Sequence, residues 1–235
     1  MKTTILFSIA ALTAFSLVAA DTTPKDDVTA AAKALGEKAS YSWHTTVVVP
    51  EDARFKPGPT DGKTEKGGAT SVTMTFGDNT TQFILQGGKS AIHTEDDGWQ
   101  ALSELDDQGP GRFLGGMVRN FRAPAAEAAE AAGLAKELKK DGNMYSGDLT
   151  EEGAKTLMSF RRGRRGGNGP EISDAKGSVK FWVTDGVLTK FETKVSGKMS
   201  FNGNDVDVDR DTTTEIKDVG TTKVEIPDEA KKKLS

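Results

Sequence analysis

SVKFWVTDGVLTKFETKVSGKMSFNGNDVDVDRDTTTE, residues 178–215, reads as three consecutive β-strands joined by two short turns. Asn202-Gly203 is the strongest short-range signal for a two-residue type I′ turn. Taken at face value it pairs Phe201 with Asn204, Lys198 with Asp207, Lys194 with Asp211 and Lys190 with Glu215. Opposite charges then fall on one face. The other face receives Met199, Val195, Phe191, Val206, Val208 and Ile216, with Thr residues and Arg210 among them. A one-residue slip would set the lysines against Val206 or Arg210, so charge pattern and turn chemistry choose the same register. For the first hairpin, a two-residue Asp185-Gly186 turn would oppose Phe181 to Lys190 and mix the faces. A three-residue Thr184-Asp185-Gly186 loop with Gly186 left-handed is therefore expected, which sets Val179, Phe181 and Val183 beside Val187, Thr189 and Phe191. It leaves Trp182 and Leu188 on the ionic face, where they need a partner.

The same period-2 alternation recurs upstream. Ala39 to Val49 sends Tyr41, Trp43, Thr45, Val47 and Val49 to one side, and strands are expected at Thr70–Phe76, Thr80–Gln86 and Ser90–Thr94. Gly77-Asp78-Asn79 and Gly87-Gly88 are the turns of that meander. Residues Glu51 to Ala69, rich in Gly, Pro and Lys, read as a mobile loop. The middle of the chain changes period. Phe113, Leu114, Met117, Val118 and Phe121 form a helical stripe between Pro110 and Phe121, and Pro124 opens an alanine-rich helix expected to close at Gly142. Its small side chains permit close packing against another element. A short helix is expected at Val28–Lys38 and another after the cap Thr150. A last strand at Thr222–Ile226 and a helix from Pro227 to Leu234 complete the expected elements. Runs of strands and runs of helices, in place of β-α alternation, indicate an α+β fold with an antiparallel sheet.

Residues 1–20 carry Lys2, an apolar run from Ile5 to Leu17 and Val18-Ala19-Ala20 before Asp21, the pattern of a cleaved signal peptide. The expected organisation is a leader over 1–20 and a single domain over 21–235, with a helical insertion at about 108–140; periplasmic or secreted localisation follows. Without Lys2 the 30 basic residues face 35 acidic ones, which argues against nucleic acid as a partner. The chain has no cysteine, so disulfides, thiolate metal sites and a Cys nucleophile are excluded.

Three segments resemble the periplasmic lipoprotein-carrier superfamily, which includes the lipoprotein localisation carrier and mycobacterial lipid-transport lipoproteins. They are Ser146 to Lys155 (SGDLTEEGAK), Val179 to Phe191 (VKFWVTDGVLTKF) and Val224 to Ala230 (VEIPDEA). The resemblance implies a strongly curved, unclosed antiparallel half-barrel with helices over its concave face, and an apolar pocket for acyl chains. The chain departs from the lipid-transport lipoproteins in having no lipobox cysteine. Strand parity and the helical stripe nominate Trp43, Val47, Met74, Phe76, Phe83, Phe113, Met117, Phe121, Phe181 and Met199 as the lining. Two readings remain: the stripe lids a cavity, or it completes a filled core. The expected function is a non-enzymatic carrier of a hydrophobic ligand, lipid or acyl chain, without a cofactor and with transient contact to a membrane surface or envelope protein. The alternative is an envelope scaffold or protein-interaction module.

Catalytic and metal chemistry find little support. His44 and His93 lie on different strands and read as structural or surface residues. Ser173-x-x-Lys176 lacks the helix and accompanying motifs of a serine acyl-enzyme. Asp205, Asp207, Asp209 and Asp211 alternate along one strand too widely to converge on a single ion, and two already face lysines. Arg161, Arg162, Arg164 and Arg165 form a basic, glycine-rich loop, read either as solvated chain or as a dock for anionic headgroups or an acidic partner.

Overall fold

Every neighbouring strand pair in the sheet is antiparallel, and the strand order follows the chain except at one seam. The computed structural model describes residues 22–53, 56–77, 79–106, 108–159, 170–201 and 204–235. Its strands are β1 (Ser40–Val48), β2 (Pro57–Glu65), β3 (Ala69–Phe76), β4 (Asn79–Gln86), β5 (Lys89–Thr94), β6 (Gly98–Ala101), β7 (Lys139–Asp141), β8 (Met144–Asp148), β9 (Glu171–Thr184), β10 (Val187–Phe201) and β11 (Asn204–Lys217). The helices are α1 (Pro24–Gly36), α2 (Gly109–Arg119), α3 (Pro124–Leu134), α4 (Glu151–Met158) and α5 (Asp228–Leu234). The order across the sheet is β6-β5-β4-β3-β2-β1-β11-β10-β9-β8-β7. The chain thus walks outward from β1 to β6, crosses by α2 and α3 to the far edge, and returns from β7 to β11. Only the β1–β11 seam joins strands distant in sequence, with Trp43 opposite Ile216 and the Thr45 and Thr214 hydroxyls 2.9 Å apart. This is an α+β half-barrel whose inner face carries α1, α3 and α4.

The β10–β11 register is the one expected: Lys198 faces Asp207, Lys194 faces Asp211 and Lys190 faces Glu215. The Asn202-Gly203 turn itself lies outside the described residues. Lys194 meets Asp211 at 3.3 Å, whereas Lys190 turns along its own strand to Glu192 at 2.7 Å and Glu215 to Lys217 at 3.3 Å. These exposed pairs contribute little stability, and their value is to specify register.

The first hairpin corrects the expectation. Its loop has two residues, Asp185 and Gly186, both left-handed at φ 51° and 73°, as a type I′ turn requires. A bulge between Leu188 and Lys190 then shifts the register, so Phe181 faces Phe191, where the three-residue loop would oppose it to Thr189. Leu188 therefore lies fully buried opposite Val183, not on the ionic face. Trp182 does stay on that face, where the Lys190 ammonium sits 4.7 Å from its ring centroid.

The largest correction is β2. The expected loop is a strand, paired through Trp43–Gly62 to β1 and through Gly62–Val72 to β3. Its composition is poor in strand formers, but two flanking strands satisfy its backbone, and the missing side chain at Gly62 makes room for the Trp43 indole. Strand β6 had no expectation at all. Helix α3 stops at Leu134, and Gly142, at φ 60°, belongs to the β7–β8 turn instead of a helix end. Residues 222–226 run extended without a partner strand, and the Val224 amide donates to the Glu65 carboxylate at 2.8 Å.

The helices are anchored by their ends. Thr23 and Asp26 form a reciprocal cap on α1, and the Thr150 hydroxyl accepts the Gly153 amide at 2.9 Å. Tyr145 donates its hydroxyl to Asp27 at 3.1 Å, tying α1 to β8. Hydrogen bonds from Thr22 and Tyr145 hold the Asp27 carboxyl below the usual carboxylate range against the opposing effect of burial, with help from Lys140. Helix α5 sits on the outer face, where Ala230 and Leu234 pack with Ala69, Ile84 and Ala91. Among the described residues no helix is long and apolar enough to cross a membrane.

Candidate apolar binding site

Pleat alternation gives the inner face its apolar character. Val72, Phe83 and Ile92 on the β3–β5 wing are buried, as are Val179, Phe181, Leu188, Phe191, Val195 and Met199 on the β9–β10 wing. Of the nominated residues on strands, Trp43, Phe83, Phe181 and Met199 are buried and Val47, Met74 and Phe76 half-buried. Six strand spacings separate Phe83 on β4 from Phe181 on β9, about 30 Å along the sheet. The nominated strand residues thus form an extended wall, and Trp43, Phe83, Phe181 and Met199 all belong to one apolar core cluster.

Helix α2 brings its half-buried Leu114 and Met117 over the β1–β4 part of this wall, with Phe121 just past its end. The Phe121 ring stacks on Trp43 at 6.2 Å and 20°, and meets Phe83 edge-on at 5.2 Å and 71°. Phe76 meets Phe113 edge-on at 6.3 Å, yet Phe113 remains 60% exposed. Phe181 instead stacks on Phe191 at 6.4 Å, on the wing that α4 covers with Met158.

The cover is a weak helix. Four of its eleven residues are glycine, and Gly115 and Gly116 in its interior each cost about 1 kcal/mol relative to alanine. A β-carbon at Gly116 would meet nothing within 4 Å. Gly116→Ala is therefore expected to raise stability by up to about 1 kcal/mol and to slow amide exchange in α2. If α2 must leave for a ligand to enter, the same change lowers apparent affinity for an apolar dye by up to about fivefold; hydrogen exchange and dye titration read both effects.

Two concavities lie elsewhere. An open groove of about 490 Å³ runs between α1, α3 and the β1–β2 mouth. Ala32, Tyr41, Ala125, Ala126 and Ala129 line it, and Lys33, Lys38 and Lys66 stand around it. Burial pushes the Tyr41 phenol up to about 12, opposed by the Ala125 amide, which hydrogen-bonds to it, and reinforced by the Glu127 carboxylate. That bond also caps α3, whose N-cap Ala123 has no side chain able to do so. The α3 alanines were legible as a surface for close packing; the lysines were not, because they come from a helix end and two connecting turns.

The second concavity, about 450 Å³, is polar and lies on the outer face around His44, Asp61, Lys63, Gln82, Lys217 and Lys223. His44 Nδ1 is 2.7 Å from the Asp61 carboxylate. His93 stands four strand spacings from His44, about 19 Å, so the two imidazoles cannot share an ion. Among the described residues no group of His, Asp and Glu gathers as a metal site. Ser173 and Lys176 lie in strand β9, across the irregular stretch opposite Gly197. Arg161, Arg162, Arg164 and Arg165 lie outside the described residues.

No family model and no curated protein sequence matches the chain. Among solved structures the chain is similar to LprF from Mycobacterium bovis, with 13% identity and a TM-score of 0.45 over 88% of this chain and 97% of that one. It is also similar to the lipoprotein LppX of Mycobacterium tuberculosis, with 12% identity and a TM-score of 0.46 over 86% of this chain and 97% of that one.

Proposed function

We propose that the chain is an exported, non-enzymatic carrier that holds a hydrophobic ligand, a lipid or an acyl chain, between the inner face of the half-barrel and α2. The observation that carries this reading is the cover itself: a glycine-rich helix with an exposed phenylalanine lies over a wall of buried aromatic and aliphatic side chains. Phe121 fills the space between Trp43 and Phe83. A ligand takes its place by displacing α2, and each methylene transferred from water contributes about 0.8 kcal/mol. No reaction is needed. Export rests on the leader pattern of residues 1–20.

Phe121→Asp tests the reading, because a carboxylate between two aromatic rings opposes apolar occupancy. The expected result is a folded protein whose affinity for an apolar dye falls by about tenfold or more. A second reading, a scaffold with a filled core, draws on the close packing of Trp43, Phe83 and Phe121. On that reading Phe121→Asp unfolds the protein, no lipid co-purifies in native mass spectrometry, and delipidation leaves stability unchanged.

A further inference from the structure

The groove between α1, α3 and the β1–β2 mouth adjoins the wall beneath α2, its Tyr41 ring lying 5.8 Å from Trp43, but its chemistry differs. Its bottom is made of Ala32 and the Tyr41 ring, and its sides of Ala125, Ala126 and Ala129. Methyl groups give this open groove a smooth apolar lining along which an unbranched chain can lie. At about 490 Å³ it lies within the range of small-molecule sites. Around it stand three exposed ammonium groups, Lys33, Lys38 and Lys66, against Glu37 in the lining and Glu127, whose carboxylate acts on the Tyr41 phenol at the floor. Lys66 is drawn to the α1 terminus, where its Nζ donates to the Glu37 carbonyl at 3.4 Å, and its backbone amide donates to the Ala39 carbonyl at 2.8 Å. The positive end of the α3 dipole opens on the same groove through Ala123, Ala125 and Ala126. An apolar channel under a cationic rim is complementary to an amphiphile with one acyl chain and an anionic head.

We propose that this groove binds a long-chain fatty acid, its chain along the alanine floor and its carboxylate among Lys33, Lys38 and Lys66. The groove is already open to solvent, so binding here requires no displacement of α2. An ion-pair-assisted site of this kind loses affinity with added salt, because the lysines are exposed.

The test titrates the purified protein with palmitate, hexadecanol and a palmitoyl lysophospholipid below their aggregation thresholds, with native mass spectrometry to count bound molecules. The expected result is one palmitate bound at least about tenfold more tightly than hexadecanol, an advantage that shrinks with salt. The triple charge reversal Lys33→Glu, Lys38→Glu, Lys66→Glu is expected to remove that advantage. Ala126→Trp, at an exposed position, obstructs the channel and is expected to abolish palmitate binding while leaving apolar-dye binding under α2 unchanged. Equal affinity for acid and alcohol, or palmitate binding untouched by both variants, overturns the proposal. Palmitate binding lost only in Phe121→Asp also overturns it, and leaves the α2-covered site standing. Tighter binding of the lysophospholipid than of palmitate replaces the fatty acid by a phosphate-headed lipid and likewise overturns the proposal as stated.

Discussion

Gly62→Ala is expected to lower unfolding stability by about 3 kcal/mol, the upper end of ordinary overpacking, in a segment whose composition looks like a loop. Gly62 lies on the inner face between Trp43 of β1 and Val72 of β3, and an added β-carbon would fall inside the Trp43 indole. The indole cannot swing away freely. It is 4% exposed, Phe121 stacks on one side at 6.2 Å, and Tyr41 packs at 5.8 Å. The clash is thus resolved only by moving β2 or by disturbing the aromatic cluster under α2. Trp43→Leu should relieve it, so Gly62→Ala is expected to cost less in that background, with a coupling of at least about 1 kcal/mol. Urea denaturation of the four proteins measures the cycle. A loss below about 0.5 kcal/mol in the otherwise unchanged protein would mean that the indole yields and that the wall is soft at this point.

Phe83→Ala carries the other large effect, and it separates stability from binding. Phe83 is fully buried on β4, flanked across the sheet by Val72 and Ile92 and touched edge-on by Phe121. Removing its ring is expected to cost about 3–5 kcal/mol, the transfer of the lost atoms plus the void left behind. The void lies directly under α2, so the carrier reading predicts that an apolar dye or a short alkane binds the variant more tightly and restores part of the lost stability by mass action. Phe181→Ala is the control. It is equally buried, but faces Phe191 on the wing that α4 covers. It should cost a similar amount without raising dye binding under α2. Identical ligand responses in both variants would mean that the wall is one undifferentiated core.

Legibility in the sequence tracks the distance over which an interaction acts. The β10–β11 register was readable because turn chemistry and three cross-strand charge pairs agree within a single hairpin. The β9–β10 hairpin was readable as a hairpin with the correct faces near Phe181, but its bulge was placed in the turn instead of at Leu188–Lys190. Both solutions keep Phe181 and Phe191 on the inner face, but the expected loop opposes Phe181 to Thr189, whereas the bulge opposes it to Phe191 and buries Leu188. Strand β2 was missed because its stability comes from two neighbouring strands and from the ring of Trp43. The terminal segment 222–226 was taken for a strand because its alternation is real, yet it serves to bury Val224 and Ile226 against the outer face.

The candidate site divides in the same way. Strand parity and the α2 stripe were enough to select inner-face aromatic residues, since side-chain direction follows from local backbone geometry. The grouping of Trp43, Phe83 and Phe121, the separate pairing of Phe181 with Phe191, and the lysine rim of the α1–α3 groove depend on which strands become neighbours.

By itself, then, the sequence determined the fold class, most strand and helix positions, two-faced strands and the absence of thiol chemistry. Each of these follows from turn residues, side-chain alternation or composition, which act locally. Tertiary structure alone decided the seam between β1 and β11, the strand character of β2, the place of α5 on the outer face and the fit of α2 over the wall. Those outcomes join residues far apart along the chain, where loop-closure entropy opposes contact and only the summed burial of a whole face selects the partner.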